Sequence, residues 1–206
     1  MSIALVIATD KYVAVCADTQ HTNMKTGLPA KTDLQKIEVL SDSICIAHCG
    51  SALMGELCMK VVRELFQNGT IHDSSISAVT EVVKQSYTSL ILKFPDVESK
   101  CSSVFIVCGR LDNGHPGFTV IKNIENTVAE KTIDGRIKPE TMIFPPADVE
   151  SGICGKLVDD LTAEHVTKAE SVPVLIETVF RQAVREVSKI SKYVSSDSLF
   201  FLYEKK

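Results

Sequence analysis

No apolar run in this sequence approaches the roughly 20 residues needed to span a bilayer, so no membrane association is expected. The N-terminus also lacks the basic stretch and extended apolar core of a secretory leader: residues 3–8 are apolar, but Thr9-Asp10-Lys11 follows at once. There is no Cys-x-x-Cys pair. The seven cysteines (16, 45, 49, 58, 101, 108 and 154) mostly sit inside apolar runs. That placement reads as small buried hydrophobes in a reducing compartment, against a zinc ribbon or a disulfide framework. The five histidines are far apart and lack ligand spacing, so neither a metal nor another cofactor is expected. No Gly-Lys-Ser/Thr loop is present, and any use of ATP would belong to a partner. Basic charge is scarce and scattered: 22 Lys and Arg against 26 Asp and Glu leave a net charge of −4. Without a basic stripe, no nucleic-acid partner is expected. The expected compartment is the cytoplasm.

What is there suits one globular domain, 1–206, with 45% hydrophobic and 23% charged residues. No repeat, low-complexity stretch or linker divides it. Residues 3–8 and 12–17 are short, continuous apolar runs that predict strands buried on both faces. A polar loop follows over 19–34, with Gly27 and Pro29, then a hairpin from 36–40 and 44–49. After Gly50 the pattern changes to a helix. Leu53, Leu57, Val61 and Leu65 form one stripe, and Met54, Cys58, Val62 and Phe66 the adjacent one, with a stop at Gly69. A second helix is expected over 75–92, capped by Asp73 or Ser74, with Ile76, Val79, Val83, Tyr87 and Leu90 inward and Pro95 ending it.

Strands are expected at 103–109, 117–122, 127–131 and 141–144, followed by a short helix at 155–162. A stronger helix at 172–190 would turn Val172, Leu175, Val179, Ala183, Val187 and Ile190 inward, and a last strand covers 199–203. Helices in sequential pairs between groups of strands exclude a βαβ alternation. The order predicts an α+β fold, a four-layer αββα sandwich: two stacked, mostly antiparallel sheets with a helix pair on each outer face.

The first fifty residues carry the chemistry. A small hydroxyl residue, Ser2, opens the chain after Met1. Asp18 ends a strand within Ala17-Asp18-Thr19, Lys36 precedes another strand, and Gly50 opens a helix. Each alone reads as a turn residue or a solvated charge. Together they are the parts of an N-terminal-nucleophile hydrolase, in which the chain's own α-amine is the base. A serine hydroxyl needs a base within hydrogen-bond reach. An α-amine of intrinsic pKa about 7.7–8.0 is partly neutral near pH 7. A buried cation beside it raises the neutral fraction. A glycine at a strand-to-helix turn can aim its N–H at a developing oxyanion.

These spacings make the chain resemble the proteasome β-type peptidases, which include the bacterial ATP-dependent ring peptidases. Members begin at a mature threonine and carry Ala-Asp-Thr/Ser sixteen residues later; here Ser2 plus sixteen is Asp18. The family lysine lies fourteen residues before a helix-opening glycine, as Lys36 does before Gly50. The resemblance implies Ser2 as nucleophile, Asp18 and Lys36 supporting it, and Gly50 as oxyanion donor. It implies Thr22 where substrate backbone is held as an added strand, and His21, His48 and Ala52 near the specificity pocket. Ser151, in Glu150-Ser151-Gly152, corresponds to a family Gly-Ser-Gly turn. The late Asp-x-x-Ser-Gly-Gly segment is matched poorly by residues 188–197, where Ser191, Ser195 or Asp197 are the candidates to replace it. The resemblance further implies a polypeptide or peptide substrate, a homo-oligomeric ring, and an ATP-driven unfoldase or regulator as a candidate partner. Two other functions stay open: a non-catalytic ring or scaffold subunit of the same fold, and an N-terminal-nucleophile amidohydrolase acting on small amides.

The scheme needs a free amine on Ser2. No propeptide precedes it in the sequence, so trimming of Met1 alone is expected to expose it. Intact mass spectrometry of the isolated protein should give a chain beginning at Ser2; a mass that retains methionine would rule out the α-amine as base.

Overall fold

The computed structural model describes residues 2–22, 29–31, 34–72, 75–100, 102–124 and 127–205. Met1, Gly27, the candidate caps Asp73 and Ser74, and Cys101 lie outside the described residues. In chain order the elements are β1 (Ala4–Ala8), β2 (Tyr12–Asp18), β3 (His21–Thr22), β4 (Pro29–Lys31), β5 (Ile37–Ser41), β6 (Ile44–Cys49), α1 (Ala52–Gln67), α2 (Ile76–Lys93) and α3 (Pro95–Lys100). Then follow β7 (Val104–Arg110), β8 (Pro116–Ile124), β9 (Thr127–Asp134), β10 (Glu140–Phe144), α4 (Ser151–His165), α5 (Val172–Ser188) and β11 (Ser198–Glu204).

Two main antiparallel sheets, a two-stranded ribbon and five helices make the α+β fold among the described residues. The smaller sheet has strand order β10-β1-β2-β11, and the larger runs β5-β6-β7-β8-β9. Their side chains explain the continuous apolar runs. Successive residues of a strand point to opposite faces. Ala4, Val6, Ala8, Val13, Val15 and Ala17 enter a cluster shared with residues of the larger sheet such as Cys45, Ile106 and Phe118. The alternate residues Ile3, Leu5, Ala14 and Cys16 enter a second cluster with α4 and α5. A third cluster joins the other face of the larger sheet to α1 and α2. Strands with both faces covered have no place for a charge, so polar alternation is lost.

The helices show which expected faces the core selects. α1 starts at Ser51, whose hydroxyl accepts from Met54 N, and it buries Met54, Gly55, Cys58, Met59 and Val62. Of the two adjacent stripes, the second faces the sheet; Leu53 and Val61 of the first remain 43% and 41% exposed. Gly55 has a steric reason, since a Cβ there would lie 2.2 Å from the His48 ring. α2 is capped by Ser75 and ends before Pro95, but the chain then forms α3 at once. Proline ends one helix and opens the next because its missing N–H costs nothing in a first turn. α4 is longer than its expected core of 155–162. α5 buries Ile176, Val179, Phe180, Ala183, Val184 and Val187, a face rotated from the expected one, with Val172 and Ile190 left exposed.

The expected loop 19–34 is corrected in part: β3 and β4 pair as a short antiparallel ribbon. Cys16, Cys45, Cys49, Cys58, Cys108 and Cys154 are buried. No described helix is long and apolar enough to cross a membrane.

The choice of stripe on α1 has a measurable consequence. Met54→Ala should cost about 2–5 kcal/mol through loss of burial and the cavity left behind. Leu53→Ala, on the exposed stripe, should stay within about 0.5 kcal/mol. Urea titrations of the two variants check the difference.

Candidate active site

Strand pairing brings the chain start to Asp18. In the β1–β2 register Ala4 stands opposite Ala17, so Ile3 and Ser2 run alongside the end of β2. Asp18 N donates to Ile3 O at 3.4 Å, and Ile3 N donates to Asp18 Oδ1 at 3.1 Å. Lys36 arrives from the other sheet. It sits one residue before β5, held where His48 N donates to its carbonyl at 3.0 Å. Its Nζ donates to Ser2 Oγ at 2.8 Å and to Asp18 Oδ1 at 2.9 Å. Ser2, Asp18 and Lys36 are all buried, with Lys36 only 1% exposed.

Burial pulls the Lys36 ammonium below its ordinary pKa, and the attraction of Asp18 works in the opposite direction. A cation taken out of water needs its counter-charge close, and removing one partner of such a pair typically costs about 3–5 kcal/mol. The carboxylate is held on both oxygens. Besides Lys36 and Ile3 N on Oδ1, Oδ2 accepts from Gln20 N at 2.9 Å and from Ser195 N at 3.5 Å. Backbone donors from three separate segments therefore aim Asp18 before any substrate arrives.

Gly50 lies between β6 and α1 with φ +111°. A Cβ there would sit 2.3 Å from Ser102 O, so both the left-handed backbone and the close approach demand glycine. Ser2 and Gly50 together border two cavities. One, of about 20 Å³, is lined by Gln20, His21, Thr22, Leu34, Lys36 and Ala52. The other, of about 200 Å³, is lined by Cys49, Ser102, Val104, Phe144, Pro145 and Ala147.

Ser2, Asp18, Lys36 and Gly50 are thus brought together, with His21, Thr22 and Ala52 beside them. Thr22 is buried, and its hydroxyl accepts from Gln20 Nε2 at 3.1 Å. Two expected residues line neither cavity. His48 lies in the core beneath α1 instead of on a cavity wall. Its side chain points from β6 towards Gly55, its Nε2 pairs with Ser51 O at 2.9 Å, and its ring packs 5.5 Å from that of Phe105. Ser151 is exposed at the first turn of α4 and lines neither cavity.

Of the late candidates, Ser195 reaches the site. Its N–H meets Asp18, and its Oγ accepts from Thr19 N at 3.2 Å while donating to Asp197 O at 3.1 Å. Ser191 instead donates to Asp148 Oδ1 at 2.7 Å. Gln20 was not among the expected residues. It is buried, and its Nε2 donates to Lys192 O at 2.8 Å as well as to Thr22 Oγ1. It stitches the β3 edge to the late segment. A glutamine in a polar stretch carries no signal of burial, so only the fold identifies it.

Among solved structures the chain is similar to eukaryotic HslV from Trypanosoma brucei, at 15% identity and a TM-score of 0.55, over 98% of this chain and 99% of that one. No protein-family model and no curated protein sequence matches the chain.

His48 gives the site a pH signature. Burial, then the nearby Lys36 charge, lowers its pKa from 6.5 to about 4. Between those values the unfolded chain takes up a proton that the folded chain refuses. This contribution to stability is therefore complete above pH 6.5 and is lost as pH falls towards 4, by about 3 kcal/mol. Urea titrations at pH 7 and pH 4.5 should show the loss, and His48→Gln should flatten that part of the profile.

Proposed function

We propose that this chain is a single-domain, proteasome-like peptidase in which Ser2, exposed by removal of Met1, is the nucleophile. The observation that carries the proposal is the Lys36 ammonium in contact with both Ser2 Oγ and Asp18 Oδ1, in a buried site that Gly50 borders. The fold likeness to HslV, a proteasome-like N-terminal-nucleophile hydrolase, supports the same assignment. The three hydrophobic clusters support the four-layer αββα arrangement.

In the proposed reaction the α-amine of Ser2 takes the hydroxyl proton as Oγ attacks the peptide carbonyl. Lys36 favours the neutral amine by charge repulsion and steadies the developing alkoxide. The Gly50 N–H donates to the oxyanion, a contact whose loss typically costs about 10²–10³ in rate. The protonated amine then delivers its proton to the leaving nitrogen, the C–N bond breaks, and water hydrolyses the ester on Ser2. Asp18 keeps Lys36 charged and placed. The β3 edge at Thr22 holds the acyl part of the substrate as an added strand. The chain works in the cytoplasm as a homo-oligomeric ring, fed by an ATP-dependent partner.

The small volume beside Thr22 favours a second reading, a non-catalytic ring or scaffold subunit. A Ser2-directed covalent probe and a fluorogenic peptide, applied to assembled protein that begins at Ser2, decide between them. The peptidase labels and turns over, and Ser2→Ala abolishes both. Absence of labelling and turnover in the unsubstituted protein would leave the scaffold reading.

A further inference from the structure

The two cavities that meet at Ser2 are unlike each other, and the larger one has no part in the chemistry above. Its floor is a rigid strand pair, since Cys49 and Val104 stand opposite each other in the β6–β7 register. One wall is Phe144, which pairs with Ala4 two residues from Ser2 and packs against the inter-sheet cluster. Pro145 and Ala147 continue that wall. Among the lining side chains only Ser2, Ser102 and Cys49 carry a polar atom, and none carries a formal carboxylate or ammonium charge. A cavity built on paired strands is preformed, so filling it costs little ordering. Its apolar lining favours a side chain that gains by leaving water and penalises a charged one.

We propose that this cavity is the subsite for the residue that follows the scissile bond, and that it selects a large apolar side chain such as leucine or phenylalanine. The inference rests on the peptidase reading. With the acyl part of the substrate along β3, the chain beyond the attacked carbonyl leaves Ser2 away from β3, and this cavity shares Ser2 and Gly50 with the β3 cavity but no other residue. At about 20 Å³ the β3 cavity is the tighter of the two, so a large side chain is better accommodated on the leaving side. At about 200 Å³ the apolar cavity has room for one such group. Ala147 is exposed at its rim, so a bulky residue there narrows the entrance without entering the core.

The test uses assembled protein that begins at Ser2 and a set of peptides identical except for glycine, leucine, phenylalanine or aspartate after the cleaved bond. Products are assigned by mass spectrometry. Leucine and phenylalanine should exceed glycine in kcat/KM by about 10-fold or more, the usual scale of apolar-pocket discrimination, with aspartate poorest. Ala147→Trp should collapse the leucine-to-glycine ratio towards one. Phe144→Ala, if it folds, should widen the cavity and shift preference towards phenylalanine. Turnover that is indifferent to this residue, or a preference unchanged by Ala147→Trp, would overturn the subsite while leaving the peptidase standing. No turnover of any peptide, with no labelling of Ser2, removes the peptidase and the subsite with it.

Discussion

An ammonium group with 1% of its side chain exposed must find its counter-charge inside the fold, and Lys36 finds it in Asp18. The rest of the site is arranged around that constraint. Asp18 closes β2 in the smaller sheet and Lys36 leads into β5 in the larger one, so the ion pair spans the two sheets at one end of their shared core. Ser2 Oγ occupies another hydrogen-bonding position of the same ammonium. A buried pair of this kind is weak evidence for stability, because apolar residues of similar volume would often serve the fold as well or better. Its retention beside a hydroxyl at the chain start agrees with the catalytic use proposed for it.

Holding that pair requires the carboxylate to be fully satisfied. Backbone donors from Ile3, Gln20 and Ser195 converge on it, each from a different part of the chain. Gln20 then links the adjacent β3 edge to the segment before β11. The poor match of residues 188–197 to the family pattern thus does not leave Asp18 unsupported. Ser195 braces it through a backbone N–H, which any residue but proline can supply. Such a contact constrains chain path more than residue type, and that is why the motif is hard to see.

Much of the architecture was legible in advance. The continuous runs of β1 and β2 announced strands covered on both faces. The Ser2, Asp18, Lys36 and Gly50 spacings pointed to residues that the fold does bring together. Helix faces were less legible: α1 carries two adjacent apolar stripes, and periodicity alone cannot say which meets the sheet. The surroundings of His48 were not legible for a similar reason. Strand alternation sends it towards one face of β6, but only the packed helix shows that this face is filled by Gly55 rather than open to a cavity.

Local pattern by itself determined the element order apart from β3, β4 and α3, the buried character of the central strands, and the register of hydroxyl, carboxylate, ammonium and glycine along the first fifty residues. These depend on short-range periodicity and spacing, which a linear sequence records directly. Tertiary structure alone decided which helix faces are buried, that Ser195 and Gln20 brace the site while Ser191 and Ser151 do not, and that two dissimilar cavities flank Ser2. Several of those outcomes arise where segments more than a hundred residues apart in sequence touch, as Ser195 does with Asp18 and Phe144 with Ala4. Such contacts are set by the closing of the two sheets over one another, a condition that no local spacing encodes.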